Sequence, residues 1–343
     1  MPHFLERYIL GLFDRESRES NLSGKPENVT KDTNEPQKQG ETELEYHLDD
    51  VAEAHEPPEA ITQELVESPA HLAAAEKQSS NLSGEPRLEV ASRSHVGNVR
   101  QRNEDSYFCF LSQAGGTEPP PLFGLFIVAD GMGGHNDGHR ASKLVARTVA
   151  QHVLDRLYRS LLQDTHSAMQ QPVQEAMEEA VLLANQALAG AESGKEMGTT
   201  LTAAVVIGSR LFLVHIGDSR AYLMHDGKLS LVTTDHTFVQ ALQDAGQLTA
   251  EEAAIHPNRN LLYRALMGEE MEQPVDVFTR SLPHRGTLML CSDGLWGSVA
   301  ESTISAILRS DNVLQEKADR LQEAALKAGG SDNITVILAS FAL

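Results

Sequence analysis

Hydrophobic residues after position 87 fall into short runs separated by turn residues. The runs read SHVGNVR, YFCF, LFGLFIVA, TLTAAVVIG, RLFLVHIG, RAYLMHDG, GTLMLCS and NITVILASF. Many of them are continuously apolar rather than alternating between apolar and polar positions, which is typical of strands covered on both faces. The pattern therefore predicts β-sheets that pack on each other and are covered again on their outer faces.

Three stretches between these runs have helical periodicity instead. Apolar residues recur every three or four positions from Ala141 to Val153, the segment PVQEAMEEAVLLANQALAG ends at a glycine, and a third pattern covers Asn312 to Lys327. Glycine commonly marks the end of a helix. Two long helices in the first half of the domain and one near its end, inserted among hairpin-like strands, predict a layered α+β domain.

The first 90 residues differ in composition from the rest. They carry 20 acidic and 8 basic side chains, whereas the whole chain has a net charge of -21. Between residues 14 and 86 the chain is poor in aromatic residues and rich in Glu, Pro, Gln and Ser, a composition typical of disordered segments. We therefore predict that residues 1–87 form an acidic, largely disordered extension and that residues 88–343 form one globular domain.

Two features stand out within the extension. Apolar side chains would share one face of a short amphipathic helix over residues 3–14. This face would pack on the globular domain, bind a partner or touch a membrane surface, in that order of preference. The near-repeats SNLSGKP and SNLSGEP are duplicated linker turns or a pair of docking or modification sites.

Composition also excludes some classes of protein. No apolar run approaches the ~20 residues needed to span a bilayer, and charges interrupt the apolar start MPHFLERYILGLF, so we expect no membrane span and a cytoplasmic protein. The acidic net charge argues against nucleic acid or anionic lipid as the main partner. Cys109 and Cys291 match no metal-binding or redox spacing, and we expect two reduced thiols.

Acidic residues stand at the ends of five apolar runs. They are Glu104 with Asp105, then Asp130, Asp218, Asp293 and Asp332. A single Asp at a strand end is usually a turn residue. Several carboxylates at one end of a sheet core, however, would repel each other and raise each other's pKa unless cations neutralised them. Oxygen ligands without cysteine favour Mg²⁺ or Mn²⁺ over zinc.

The segments around these acids resemble a known family. They read RxxNEDS, VADGMGGHxxG, MGTTLTAAVV, IGDSRAYL, TTDHT, CSDGLWG and GGSDNITVIL. In this order and approximate spacing they resemble the bacterial branch of the metal-dependent, type 2C-like protein serine/threonine phosphatases. The resemblance covers about residues 90–343. It implies a four-layer α-β-β-α sandwich of two antiparallel sheets flanked by helices, with a mobile flap at about residues 244–268.

The resemblance also implies two Mn²⁺ or Mg²⁺ ions at one end of the sheets, with a weaker third ion in bacterial members. Asp130 would bridge the two ions and Gly131 would add its backbone carbonyl. Glu104 would ligate one of these ions. Asp293 and Asp332 would ligate the other.

For each of two further acids, two roles are possible. Asp218 matches the position that helps Asp293 to hold the third ion, or it caps the turn between two strands. Asp105 holds waters of the metal site, or it is a charge at the start of a strand. Other motif residues are predicted to be structural: Gly198 to Thr200 begin a core strand, His236 bonds a loop, and Trp296 packs beneath the metal loop with Leu295.

The implied reaction is hydrolysis of phosphoserine or phosphothreonine by a water shared between the two ions. Asp130 and Arg100 would be its catalytic residues. Arg100 matches the family's phosphate-binding arginine, because a planar guanidinium can hold two phosphate oxygens at once, and its spacing from Glu104 favours it over Arg102.

The proton donor to the leaving group is a separate question. Met132 stands where eukaryotic relatives have the histidine that protonates the leaving oxygen, and a thioether cannot donate a proton. His135 and His139 lie in the same loop, but exposed histidines without this role are the preferred interpretation. A water at the third ion is the favoured donor.

The leading hypothesis is thus a monomeric phosphatase of phosphorylated proteins that opposes a Ser/Thr kinase, with the N-terminal extension as a docking segment for a partner. One alternative is a phosphatase acting on anti-sigma-factor antagonists. Another is a phosphoprotein-binding scaffold without activity. Scaffolds of this kind typically lose metal ligands, whereas all four expected acidic ligands are present here.

Overall fold

The computed structural model describes residues 86–115, 119–133, 137–163, 173–191, 197–271 and 274–343. Residues 1–85 of the predicted extension, with its helix at residues 3–14 and both SNLSG segments, lie outside the described residues, as does His135. Arg87, the last residue of the predicted extension, begins the first strand.

Two antiparallel sheets form the centre of the globular domain. The first has the strand order β1-β11-β10-β7-β8 and the second the order β2-β3-β5-β6-β9, while β4 pairs with the end of β3. The strands are β1 (Arg87–His95), β2 (Asp105–Ser112), β3 (Phe123–Met132), β4 (Gly198–Thr199), β5 (Leu201–Ile207), β6 (Arg210–Ile216), β7 (Arg220–His225), β8 (Lys228–Leu231), β9 (Asp276–Ser281), β10 (Arg285–Cys291) and β11 (Ile334–Ala342).

Along the described part of the chain the helices lie between strands, the first after β3 and the last before β11. The first helix continues through a π-helical turn at Leu154–Tyr158. The helices are α1 (Asp137–Val153), α2 (Arg159–Gln163), α3 (Val173–Ala189), α4 (Phe238–Asp244), α5 (Ala250–Ile255), α6 (Asp293–Trp296), α7 (Glu301–Arg309) and α8 (Leu314–Lys327). No helix in the described ranges has the length and apolar character required to cross a membrane.

The apolar side chains form three layers of core, which explains why the strand sequences are continuously apolar. Along β3, Phe123, Leu125 and Ile127 face α1 and α3, whereas Phe126 and Val128 pack between the two sheets. Successive side chains of a strand point to opposite faces, so a strand buried on both faces needs apolar residues at every position.

The second sheet repeats this division on the other side of the domain. In β11, Ile334, Val336 and Leu338 pack against α7 and α8, while Ile337 and Phe341 face the opposite sheet. Two sheets with helices on both outer faces give the predicted four-layer α-β-β-α sandwich, and this prediction is confirmed.

Some element predictions were wrong in detail. The run SHVGNVR was predicted as a strand, but β1 ends at His95 because Gly97 has a positive φ of 83° and lies against the backbone of Asp332. The helix α7 and the strands β8 and β9 were not predicted. Both strands are short and partly exposed, so neither has an apolar run.

The predicted flap, residues 244–268, returns to the body of the domain at its C-terminal end. Leu262 forms a bridge with Thr237, and Leu266 exchanges two backbone hydrogen bonds of 2.9 Å with Thr199. This end of the segment is therefore anchored on β4. Its mobility and its influence on substrate choice stay predictions.

Candidate metal centre

The acids predicted from the sequence meet at one end of the two sheets. Asp105 begins β2 and lies opposite Asp130 near the end of β3. Asp293 begins α6, one residue after β10 ends, and its carboxylate lies close to that of Asp130. Asp332 precedes β11. Because neighbouring antiparallel strands place starts beside ends, acids far apart in sequence reach one place.

A backbone cradle surrounds Gly131. Its N–H donates to the carbonyl of Glu104 at 3.2 Å, and a Cβ atom at this position would lie 2.1 Å from the carbonyl oxygen of Gly138. No side chain fits there, which explains a glycine after Asp130. The first turn of α1 is thereby brought against the end of β3 and against Glu104.

Asn333 ties three segments of the centre together. Its side-chain oxygen accepts from the N–H of Glu104 at 2.7 Å, and its amide donates to the carbonyls of Val96 and Arg102, both at 2.9 Å. The sequence interpretation did not include this residue. Its position between Asp332 and the strand β11 was the available signal.

Asp105 is buried at the interface of the two sheets. Ser292 donates to one of its oxygens at 2.7 Å and accepts from the N–H of Thr335 at 3.0 Å. The other oxygen is buried without a hydrogen-bond partner in the described part of the chain. Asp105 therefore stands at the start of β2 with one carboxylate oxygen unpartnered among the described residues, and both interpretations of it stay open.

Burial and mutual proximity raise the pKa values of the acids in the centre. Burial raises the pKa of Asp105 to about 7, opposed by hydrogen bonds and reinforced by Asp293 and Asp332. Burial and the charge of Asp332 raise the pKa of Asp293 to about 6. The pKa of Asp130 is also raised, by burial and then by the neighbouring carboxylates, and burial and Asp293 raise that of Asp218. The charges of Asp293 and Asp332 thus make ionisation of their buried neighbours more costly.

One oxygen of Asp293 is also buried without a hydrogen-bond partner among the described residues. A buried carboxylate oxygen that lacks a donor needs a cation or a proton. Among the described residues, no group of three or more Asp, Glu, His or Cys side chains is arranged so that it could hold a metal ion by itself. The donors available are carboxylate and backbone oxygens, which fit Mg²⁺ or Mn²⁺, ions that keep several waters and few protein ligands.

The comparison with protein families agrees with this geometry. A family model described as Protein phosphatase 2C matches residues 94–332, a range that includes all of these acids. The chain belongs to the protein phosphatase 2C family.

Relatives of this phosphatase 2C chain are bacterial. The serine/threonine protein phosphatase PstP of Mycobacterium tuberculosis is 43% identical over 256 residues, which are 74% of this chain and 45% of that protein. The serine/threonine phosphatase stp of Listeria innocua is 36% identical over 246 residues, 72% of this chain and 93% of that protein. The chain thus spans less than half the length of the mycobacterial relatives it matches.

Solved structures share the phosphatase 2C fold. The catalytic domain of PstP in complex with two manganese ions aligns with a TM-score of 0.61 and 37% sequence identity, covering 76% of this chain and all of that one. The predicted fold family is confirmed.

Arg100 of this phosphatase 2C domain reaches the centre from the loop after β1. Its guanidinium bonds to Asp332 at 2.7 Å, which raises its pKa, and about half of its side chain, 52%, is exposed. His139 was described as an exposed loop histidine, and this was wrong. It lies in the first turn of α1, half-buried, with Nδ1 at 3.2 Å from the carbonyl of Asn103.

The turn that carries Asp218 is held in place by contacts with Trp296 and Arg220. Trp296 donates its indole N–H to the carbonyl of Asp218 at 2.9 Å. The guanidinium of Arg220 lies 3.5 Å from the centre of the indole ring and is gripped by both oxygens of Asp235. The stacking of Arg220 on Trp296 and its ion pair with Asp235 stabilise the turn beside the phosphatase 2C centre. Both interpretations of Asp218 stay open, since its side chain faces Asp293 from within a turn.

His236 connects the same turn to the predicted flap. Its Nδ1 accepts from the N–H of Gly217 at 3.0 Å, so Nε2 carries the ring proton and faces Asp276 at 3.2 Å. Arg264, from the flap segment, donates to the other oxygen of Asp276 at 2.8 Å. Although burial opposes it, these two donors lower the pKa of Asp276 to about 2.

We expect His236→Gln to destabilise the domain more than His236→Asn, although Gln is closer to His in size. The side-chain oxygen of Asn can replace Nδ1 as the acceptor for Gly217, whereas Gln replaces Nε2 and leaves a buried N–H without a partner. That loss is expected to lower the free energy of unfolding by about 2 kcal/mol relative to Asn. Urea denaturation measures both variants, and equal stability would contradict the role given to Nδ1.

Gly294 provides a second test of the packing around the centre. A Cβ atom there would lie 2.0 Å from the carbonyl oxygen of Asn333. Because that neighbour is backbone and cannot rotate away, Gly294→Ala should cost at least about 3 kcal/mol of unfolding free energy. Gly190→Ala is the matched control, since the nearest atom is 3.7 Å from its Cβ position. Thermal or urea denaturation that found the two variants equal would refute this prediction.

Proposed function

We propose that the protein is a metal-dependent phosphatase that hydrolyses phosphoserine and phosphothreonine in proteins. The observation that carries the proposal is the buried, unpartnered oxygen of Asp293 within a group of carboxylates that repel each other. Membership of the phosphatase 2C family, and relatives named serine/threonine phosphatases, support the same conclusion.

The residues suit two Mn²⁺ or Mg²⁺ ions. Asp130 would bridge both ions, because it lies between Asp105 and Asp293 and has carboxylates on both sides. Glu104 and the carbonyl of Gly131 would hold one ion, while Asp293 and Asp332 would hold the other. The relative solved with two manganese ions supports this ion count. Asp218 would help to hold a third ion.

When bound, these ions would supply an activated water and neutralise phosphate oxygens. The chain's own residues bind and orient the substrate. Arg100 would grip the phosphate, since its exposed guanidinium already stands beside Asp332 at the rim of the centre. Asp105, with one free oxygen, would orient water from the interior side. Met132 cannot donate a proton, and His139 is engaged with a backbone carbonyl, so we assign protonation of the leaving oxygen to water.

The substrates would be phosphorylated proteins, and a Ser/Thr kinase would be the opposing enzyme. We propose a cytoplasmic monomer. The substrate class and the opposing kinase rest on the resemblance and on the relatives' names. Phosphoprotein-binding scaffolds of this kind typically lose metal ligands, whereas Asp130 and Asp293 are both present, and the charge of Asp293 raises the pKa of Asp130.

The test is phosphate release from a phosphothreonine peptide by the full chain with Mn²⁺, with Mg²⁺ and with a chelator. Turnover that requires the metal and is lost with the chelator is expected. A second substrate, a small aryl phosphate, separates chemistry from peptide recognition. If neither substrate is hydrolysed at any Mn²⁺ concentration, the scaffold reading replaces this proposal.

Removal of residues 1–85 should leave turnover of the aryl phosphate within about twofold of the full chain. The reason is that β1 begins at Arg87 and pairs along its whole length with β11, so this deletion leaves both strands complete. Steady-state kinetics of the shortened and full chains measure the effect. A large loss of turnover would show that the extension contributes to the centre.

A further inference from the structure

One face of α1 carries three cations. Arg140, Lys143 and Arg147 are exposed and recur at helical spacing, and we call them the cationic stripe. Among the described residues none of the three makes an ion pair or hydrogen bond. The only acid of the helix is Asp137, its first residue.

The cationic stripe borders a groove of about 230 Å³. Its other lining residues are apolar: Leu144 from the same helix, Ala191 after α3, and the buried Met197 before β4. A groove with an apolar floor and a cationic rim suits a polypeptide segment with acidic side chains.

The groove lies next to the segments that adjoin the candidate metal centre. α1 begins against Gly131, and Met197 is followed by Gly198, whose Cβ position lies 3.2 Å from the side chain of Met132. At a rise of 1.5 Å per helical residue, Arg140 and Arg147 stand about 3 and about 14 Å beyond Gly138 along the axis. An extended peptide advances about 3.3 Å per residue. Counted from Gly138, the stripe therefore lies beside about the first to the fourth residue of an extended bound peptide.

Helix stability alone does not account for these cations. Arg140 lies close to the N-terminus of α1, where the helix dipole favours acids and disfavours cations. The chain as a whole has a net charge of -21, which disfavours an acidic substrate in general. The cationic stripe is a local exception beside the centre.

We propose that the cationic stripe binds acidic side chains of the protein substrate that lie within about four residues of the phosphorylated one. This inference rests on the proposed function and names a substrate class for the same centre. Arginine and lysine at the rim would pair with carboxylates in water, so the contribution should be modest and sensitive to salt.

The experiment compares two phosphothreonine peptides that differ only in flanking residues, three Glu in one and three Gln in the other. Enzymes are the full wild-type chain and a stripe variant, Arg140→Gln with Lys143→Gln and Arg147→Gln, changes that keep good helix formers. We expect the wild type to have a KM about fivefold lower for the Glu peptide. The stripe variant should show equal KM values for both peptides, with kcat for the two peptides alike.

A matched control removes three exposed cations from the other end of the domain: Lys228→Gln, Arg285→Gln and Arg309→Gln. Arg285 begins β10, whereas the candidate centre lies beyond that strand's last residue, about 20 Å away. The control loses the same charge and should keep the preference. A preference absent from the wild type, kept by the stripe variant, or lost equally in the control would overturn the inference.

Failure of the proposed function gives a different result. If the wild type hydrolyses neither peptide nor a small aryl phosphate, the function is refuted, and the stripe is tested by fluorescence anisotropy of the labelled Glu peptide. Weaker binding by the stripe variant than by the control variant would support the surface. Equal binding by the two variants would refute it.

Discussion

Asp130→Asn and Asp293→Asn are each expected to lower Mn²⁺-dependent phosphate release by at least about 100-fold. Both side chains are buried among other acids, and the charge of Asp293 raises the pKa of Asp130. Asn keeps the shape of Asp but removes the negative charge and turns one oxygen into a donor, so it binds a divalent cation poorly. Phosphate release from a phosphothreonine peptide at saturating Mn²⁺ measures the effect.

The same variants should be more stable than the wild type when no metal is present. The pKa of Asp130 is raised by burial and by its neighbours, which means that its charge is a cost in the metal-free fold. An amide removes this cost and can donate to Asp293. Melting temperatures measured with a chelator should therefore rise while activity is lost, a pair of effects that simple misfolding cannot produce.

Asp311→Asn is the matched control, since Asp311 is an exposed acid outside the centre. It should change neither activity nor melting temperature appreciably. Retention of activity by either Asp130→Asn or Asp293→Asn would remove that residue from the metal site.

The local pattern of the sequence was sufficient for the layers of the fold. In β3 every position from Phe123 to Ala129 is apolar, and its side chains divide between the helix layer and the space between the sheets. Burial on both faces leaves a continuous signal in the sequence. β9 leaves none, because Asp276 and Arg280 lie on a partly exposed strand with mixed polarity.

The acids of the centre were also predictable, because each stands where an apolar run ends. The hydrogen bonds that connect these acids to the rest of the fold were not predictable. Asn333 bonds to Val96 across 237 positions, and Ser292 bonds to Asp105 across 187. Such contacts arise when the sheets pack, and no periodicity within one segment records them. The same holds for His236, whose partners come from a strand turn and from β9.

Metal binding should stabilise the protein more at pH 7.5 than at pH 5.0. Burial raises the pKa of Asp105 to about 7 and that of Asp293 to about 6 in the folded chain, whereas an unfolded Asp titrates near 3.9. Between about pH 4 and 7 the folded state therefore binds more protons than the unfolded state. Stability of the metal-free protein falls as pH rises through this window, and the full cost of the charges is present above pH 7.

A buried histidine acts in the opposite direction over part of this range. Burial and the nearby His236 lower the pKa of His215 to about 3, so the unfolded state binds the extra proton below about pH 6.5 and acid destabilises the fold. The wild-type curve alone is the sum of both effects. Asp105→Asn removes one of them and keeps an oxygen that can accept from Ser292.

The measurement is the melting temperature of wild type and Asp105→Asn from pH 4.5 to 7.5, with a chelator and with Mn²⁺. Without metal, the melting temperature of Asp105→Asn should exceed that of the wild type by a margin that grows by a few degrees as pH rises. The reason is that raising a pKa by one unit corresponds to about 1.4 kcal/mol. With Mn²⁺ this margin should vanish, because the cation then neutralises the carboxylates. If the difference in melting temperature is instead constant across pH, Asp105 does not change its charge in this range, or another group neutralises it. Repulsion among these acids would then not be the reason that the fold requires a metal ion.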